Sequence, residues 1–314
     1  MTHSRSVQLA YVVVVLIWAT TPLAIRWGAV DTGFAFAAMA RMALGMLFAL
    51  LLLALWRLPV PLHRRALLSY LCAGGGLFVS MLCVYWAAPR IDSGLISVIF
   101  GLSPLVTSLL AALWLRERGL GLLSVVGMLL GVAGLALIFA DQRLTTTGGG
   151  LAAIVVLLFA VLSHAASLVG LKWIGDDSPP LATATGALLV AAPLFLLSWW
   201  LTGGSLPPTL SLRGGLSIVY LGLFGSVLGF ALYYYIVRYL SSAQVALILV
   251  ITPVLALLLG RLFNDEQLPS QVWLGAAVIC LGLVLHQRGS RPALPMQRPV
   301  SDPGTAQGVS PERR

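Results

Sequence analysis

Apolar residues along this chain gather into long runs, not into the alternation of a half-buried strand or the narrow stripe of a surface helix. A helix needs about 20 apolar residues to cross the hydrocarbon core of a bilayer. Ten segments meet that length: 7–27, 32–56, 66–88, 92–115, 121–140, 149–173, 179–201, 213–238, 241–263 and 270–287. The breaks between them carry turn chemistry, among them Asp31-Thr32-Gly33, Arg116-Glu117-Arg118-Gly119, Gly175 to Pro180 and Asn264-Asp265-Glu266. The pattern predicts an all-α integral membrane protein of ten transmembrane helices. The tail, 289–314, is rich in Pro, Ser and Arg without periodicity and is expected to be disordered and cytoplasmic.

The pattern also repeats. Residues 85–137 align with 234–286 at an offset of 149, which sets Tyr85 on Tyr234, Ser93 on Ser242, Pro104 on Pro253 and Glu117 on Glu266. The first spans of the two halves match at an offset of 146, with Trp18 on His164, Thr21 on Ser167 and Arg26-Trp27 on Lys172-Trp173. The chain therefore divides into repeats at 1–143 and 144–288, followed by the tail. Five spans per half is an odd number, so the second half enters the bilayer from the other side. Two inverted five-helix repeats follow, the layout that lets one sequence solution serve both gates of a carrier.

Composition agrees. Hydrophobic residues make up 59% of the chain and charged residues 9%, against about 25% charged in a soluble domain. The net charge of +9 is spread between apolar runs, without the basic stripe and interleaved aromatics of a nucleic-acid binder. It reads as a topology signal instead. With the N-terminus in the cytoplasm, thirteen Lys and Arg fall on the inner segments and tail and five on the outer side, which favours both termini inside. Cys72, Cys83 and Cys280 lie in apolar runs without metal-ligand spacing and read as packing residues. Neither Gly74-Gly75-Gly76 nor Gly148-Gly149-Gly150 is followed by the Lys-Ser/Thr of a phosphate loop. No paired carboxylates, His cluster or Ser-Lys pair lies inside the spans, so neither an enzyme nor a cofactor is expected.

The doubled motif carries a resemblance. Tyr85-Trp86, Ser93-Gly94, Ser103-Pro104 and Arg116-Glu117 recur as Tyr234-Tyr235, Ser242-Ala243, Thr252-Pro253 and Asp265-Glu266. Over 7–287 the layout resembles the EamA type of the drug/metabolite transporter superfamily. The resemblance implies ten helices, inverted repeats, and export of amino acids or other small metabolites and drugs. The expected function is a secondary-active carrier of the bacterial inner membrane, with a solute in a central cavity exposed alternately to the two sides. A drug exporter or a channel-like permease is the alternative. Expected partners are the small solute and the bilayer, with the protein a monomer or a homodimer through spans five and ten.

Candidate residues follow from what is costly or polar at mid-membrane. No span has a carboxylate in its interior, so carboxylate-based proton coupling is not expected. His164, in span six, reads as the one buried group titrating near neutrality; it contacts substrate, carries a proton, or rests hydrogen-bonded to Ser167. Arg41, inside span two, either attracts a substrate carboxylate or pins helix-end carbonyls. Pro104 and Pro253 each remove a helical hydrogen bond, and Ser103 and Thr252 precede them with hydroxyls. Trp18, Thr21, Tyr85, Trp86 and Tyr234 are candidates for the substrate wall, with Tyr85 and Tyr234 also placed as outer and inner gates. Gln244 is a further polar contact. Gly127-x3-Gly131 and Gly225-x3-Gly229 offer small-residue faces for close helix packing. Glu117 and Glu266 read as loop ion pairs, the latter near Arg261, that help to lock a gate.

Overall fold

The computed structural model describes residues 2–116, 121–139, 150–237, 239–240 and 242–289. Glu117, the tail beyond 289 and the side chain of Tyr234 lie outside the described residues. Among the described residues the regular structure is helical throughout. In chain order the helices are α1 (Thr2–Thr32), α2 (Phe34–Trp56), α3 (Arg64–Ala87), α4 (Ser93–Phe100), α5 (Ser103–Trp114), α6 (Leu122–Phe139), α7 (Gly150–Ile174), α8 (Pro180–Leu201) and α9 (Leu212–Tyr220). A π-helical segment, Leu221–Leu228, joins α9 to α10 (Gly229–Val237), and α11 (Ser242–Asn264) and α12 (Ser270–Gly289) complete the described helices.

Among the described residues eight segments are long and apolar enough to span, and the shorter apolar stretches Leu122–Ile138 and Leu212–Leu228 fall at the fifth and eighth of the expected crossings. Two of the ten crossings depart from a plain helix. The fourth breaks at Gly101-Leu102 into α4 and α5, with Pro104 at the start of α5. A proline has no N–H for the ladder, so its tolerated place is a first helical turn. The equivalent Pro253 sits inside an unbroken α11, so the two prolines occupy different positions, one in a first helical turn and one in a helix interior. The eighth crossing widens into the π-helix. Between α1 and α2 the chain reverses on Gly33, whose φ of 84° a side chain would disfavour.

The halves pack as a pseudo-two-fold pair. α1 lies against α9, α10 and α11, and its counterpart α7 lies against α3 and α5. α2 meets its own counterpart α8, and α4 meets α11. The sense of these pairings fixes the inversion. A methyl on Gly282 would lie 2.6 Å from the Gly127 carbonyl oxygen, and one on Gly134 would lie 2.6 Å from that of Gly275. As one number rises the other falls, so the equivalent helices α6 and α12 run antiparallel. The same holds for α4 and α11, where Gly94 abuts Leu257 and Gly101 abuts Pro253. With no water to expel between helices in lipid, such backbone-to-backbone approach supplies the packing attraction. The small-residue faces of α6 and α12 thus close on each other within one chain.

Candidate functional site

A polar cluster lies in the apolar interior where α1, α2 and α3 meet the π-helix. Arg41 of α2 is 5% exposed and Tyr85 of α3 is fully buried. Arg41 Nε donates to Ser226 Oγ at 3.4 Å, and its guanidinium carbon stands 6.0 Å from the centre of the Tyr85 ring. The Tyr85 hydroxyl faces the Arg41 guanidinium, and among the described residues neither Arg41 Nη1 nor the Tyr85 hydroxyl has an acceptor. Ser226 Oγ donates to the Leu221 carbonyl five residues back, the spacing of the π-turn. Thr21 Oγ1 donates to the Ile17 carbonyl at 2.6 Å.

Glycines make this crowding geometrically feasible. A methyl on Gly225 would sit 3.5 Å from Arg41 Nη2 and 3.7 Å from Thr21 Oγ1, and one on Gly222 would sit 2.8 Å from Leu44 Cβ. π-turns are rare and concentrate at functional sites. Here the wider turn delivers the Ser226 hydroxyl to Arg41. Next along the same helix, Gly229 faces Trp18, whose Nε1 would be 3.5 Å from an added methyl. The Trp18 and Tyr233 rings lie with centroids 5.1 Å apart, tilted by 32° to each other. Thr21, Arg41, Tyr85, Gly225, Gly229 and Trp18 are therefore brought together, while Ser226 and Tyr233 join them without having been singled out from sequence. The Gly222, Gly225 and Gly229 spacing was the available signal.

His164 stands apart from that cluster, beside Phe100 with ring centroids 6.3 Å apart. Phe100 is the last residue of α4 before the break, so the imidazole faces the interrupted crossing. The bond to Ser167 does not form: Ser167 Oγ donates to the Cys72 carbonyl at 3.1 Å, locking α7 to α3. Nor is His164 the one buried histidine. His286 of α12 is 2% exposed, with Nδ1 2.6 Å from Ser124 Oγ and Nε2 2.8 Å from Ser108 Oγ.

The end of the bundle near Asp92 is fastened by a charged network. Glu266, 4% exposed, accepts from the Ser93 N–H at 3.0 Å, the Gly94 N–H at 3.4 Å and Asn264 Nδ2 at 2.9 Å. Arg26 reaches Asp92 at 3.1 Å and Glu266 at 3.5 Å, and also donates to the Ile91 carbonyl. Trp27 Nε1 donates to Asn264 Oδ1 at 2.9 Å. The ion pair of Glu266 is thus with Arg26 across the two halves, not with Arg261, which is exposed. Burial, then the nearby Glu266 charge, push the Asp92 carboxyl up from its ordinary value against the opposing pull of Arg26. At the opposite end His63 and Asp176 meet at 2.8 Å.

The remaining candidates sit as follows. Trp86 is a platform for Arg90, whose guanidinium carbon lies 3.8 Å from the ring centre. Ser103 opens α5, and its carbonyl accepts from Thr107 Oγ1. Thr252 is buried beside Pro253 in α11, and Gln244 is exposed, its carbonyl accepting from Tyr11 Oη at 3.2 Å. Gly131 faces Leu102 and Leu105 at the α4–α5 break.

Known proteins share this architecture. The model of the EamA-like transporter family matches residues 5–140 and again 151–286. The uncharacterized inner membrane transporter YedA of Escherichia coli K12 is 29% identical over 294 residues, covering 91% of this chain and 92% of its own. A probable terminal-alkyne amino-acid exporter of Streptantibioticus cattleyicolor is 27% identical over 300 residues, covering 94% and 97%. A solved crystal structure superposes with a TM-score of 0.60 at 22% identity, over 90% of this chain and 96% of that one, and so shares the fold.

Proposed function

The chain belongs to the EamA-like transporter family, and we propose that it exports small amphipathic metabolites, amino acids or related compounds, across a bacterial inner membrane by alternating access. The observation that carries this reading is the antiparallel pairing of equivalent helices, α4 with α11 and α6 with α12. Inverted halves can exchange conformations and so open one end or the other around a shared solute. The Glu266–Arg26–Asp92 network ties residues of both halves at one end, as a closed gate requires. The Lys and Arg count assigns that end to the outside. Trp18 with Tyr233 forms an aromatic wall, and His164 with Phe100 a second contact for the solute. The amino-acid exporter among the relatives supports the cargo class, and YedA the membrane.

The test is transport by the purified full chain in proteoliposomes against a panel of labelled L-amino acids, with and without a pH gradient. Saturable uptake that is accelerated by unlabelled solute on the opposite side is the expected result. Flux that does not saturate and shows no counterflow would identify a channel-like permease. Counterflow of organic drugs with none of any amino acid would overturn the cargo class.

A further inference from the structure

We propose that Arg41 and Tyr85 form a carboxylate-binding subsite inside the membrane, so that the transported solute carries a carboxylate attached to an apolar or aromatic body. The inference rests on the carrier reading above and adds to it which chemical group of the solute is recognised, and by which residues.

The argument is an accounting of donors. Thr21 and Ser226 commit their hydroxyl protons to the Ile17 and Leu221 carbonyls. What remains unspent in the cluster is Arg41 Nη1 and the Tyr85 hydroxyl proton: the guanidinium and the Tyr85 hydroxyl face each other, and neither has an acceptor among the described residues. A guanidinium that merely pinned helices would spend its N–H groups on backbone carbonyls. Arg41 instead addresses two hydroxyls, Ser226 at 3.4 Å and Tyr85, and no backbone carbonyl among the described residues. A buried cation left unpaired is strongly disfavoured, and more so in a bilayer, where water does not substitute. No acidic residue lies in the interior of a described span, so the protein itself offers no counter-ion there. Two adjacent donors, one of them cationic and planar, suit the two oxygens of a carboxylate.

The surroundings specify the rest of the ligand. Gly225 faces Arg41, and Gly229 faces the Trp18 indole. The two glycines are four residues apart on one crossing, so the two contacts lie about one helical turn apart. An acid head at Arg41 and an apolar body against Trp18 and Tyr233 fit an amphipathic amino acid or a similar monocarboxylate.

The experiment measures ligand-induced thermal stabilisation and intrinsic tryptophan fluorescence of the purified full chain. The probes are the L-amino acids, each paired with its carboxamide, and sodium chloride at the same concentration. The expected result is a response to at least one acid, none to its amide and none to chloride. R41Q should shift the midpoint of that response about tenfold to a hundredfold, Y85F should shift it less, and R41K should retain part of it. The comparison of acid with amide on the unaltered protein needs no variant to fold. Equal response to acid and amide, equal response to chloride, no response to any acid, or an unchanged midpoint in R41Q overturns the subsite. Saturable counterflow in those cases leaves the carrier reading standing. An Arg41-dependent acid response without counterflow would sink the carrier reading and keep the subsite.

Discussion

Glu266 of the second half caps a helix of the first: its carboxylate accepts from the Ser93 N–H at 3.0 Å, at the N-terminus of α4. The first N–H groups of a helix have no intrahelical partner, and the positive end of its dipole favours an anion. α4 is only eight residues long before its break, so this end of the fourth crossing is held from across the molecule. Removing the carboxylate leaves the Ser93 and Gly94 N–H groups and Arg26 short of an acceptor. E266A is expected to destabilise the protein by about 2–3 kcal/mol, and E266Q, which keeps an acceptor, by about half as much. Equilibrium unfolding in mixed detergent reads both.

Asp92 gives the same end a pH dependence. Its carboxyl is raised by burial and by Glu266, so the closed end binds this proton more tightly than the unfolded chain or an opened, hydrated end would. An ionised Asp92 is therefore a cost at neutral pH. That cost is relieved as the pH falls through the raised value and is fully gone below the ordinary 3.8. The expected outcome is a closed population that grows as the pH drops from neutral toward about 4, at no more than about 1.4 kcal/mol per pH unit. Spin labels at the exposed Val30 and Phe263 positions, in a cysteine-free background, measure the opening. D92N should hold the end closed and abolish the pH response between those limits.

Three consecutive glycines separate what sequence and structure each provide. Gly74, Gly75 and Gly76 are alike in the chain. A methyl on Gly74 would meet Val190 Cβ at 2.6 Å and the Ala187 carbonyl at 2.7 Å, one on Gly76 would collide with the Ser167 side chain, and one on Gly75 would meet nothing within 4 Å. G74A and G76A are expected to cost about 1–3 kcal/mol through overpacking. G75A should be neutral or stabilise by up to about 1 kcal/mol, the helix-propensity difference. Thermal unfolding of the three variants in one detergent decides it.

The ten crossings and the two halves were legible because lipid imposes a length and a composition on every span, and because Tyr85/Tyr234 and Pro104/Pro253 recur in register. What was not legible is how one motif takes two conformations. Pro104 and Pro253 share a preceding hydroxyl residue, yet the fourth crossing breaks at Gly101, where the second half has Val250, and α11 does not break. The two prolines also differ in surroundings: Pro253 packs beside Gly101 of the fourth crossing, a contact between residues far apart in the chain. The π-turn is less legible, since the glycines of Leu221–Leu228 read equally as a small-residue packing face, and the approach of Leu44 and Arg41 to them is a contact with another crossing. Glu266 was recognised as a gate charge but matched to Arg261, its neighbour in sequence; its true partner Arg26 comes from the other half. Arg41 was legible as an anomaly of cost, and its unspent donor became visible only once Ser226 was placed.

The half-buried His164 and the buried His286 should divide along the same line. His286 has both ring nitrogens within bonding distance of serine hydroxyls, on α5 and α6, so its removal leaves the buried Ser124 and the half-buried Ser108 hydroxyls without that partner and opens a void between three crossings. His164 makes no hydrogen bond among the described residues and touches Phe100 by its ring. H286A is therefore expected to lose about 1–3 kcal/mol of stability while transport, normalised to folded protein, changes less than about threefold. H164A is expected to unfold within about 1 kcal/mol of the parent protein and yet transport at least about tenfold more slowly, as one lost solute contact of about 1.4 kcal/mol implies. Paired unfolding and proteoliposome flux on the two variants check this. Equal transport loss in both would remove His164 from the solute path and make its exposure to the broken crossing incidental.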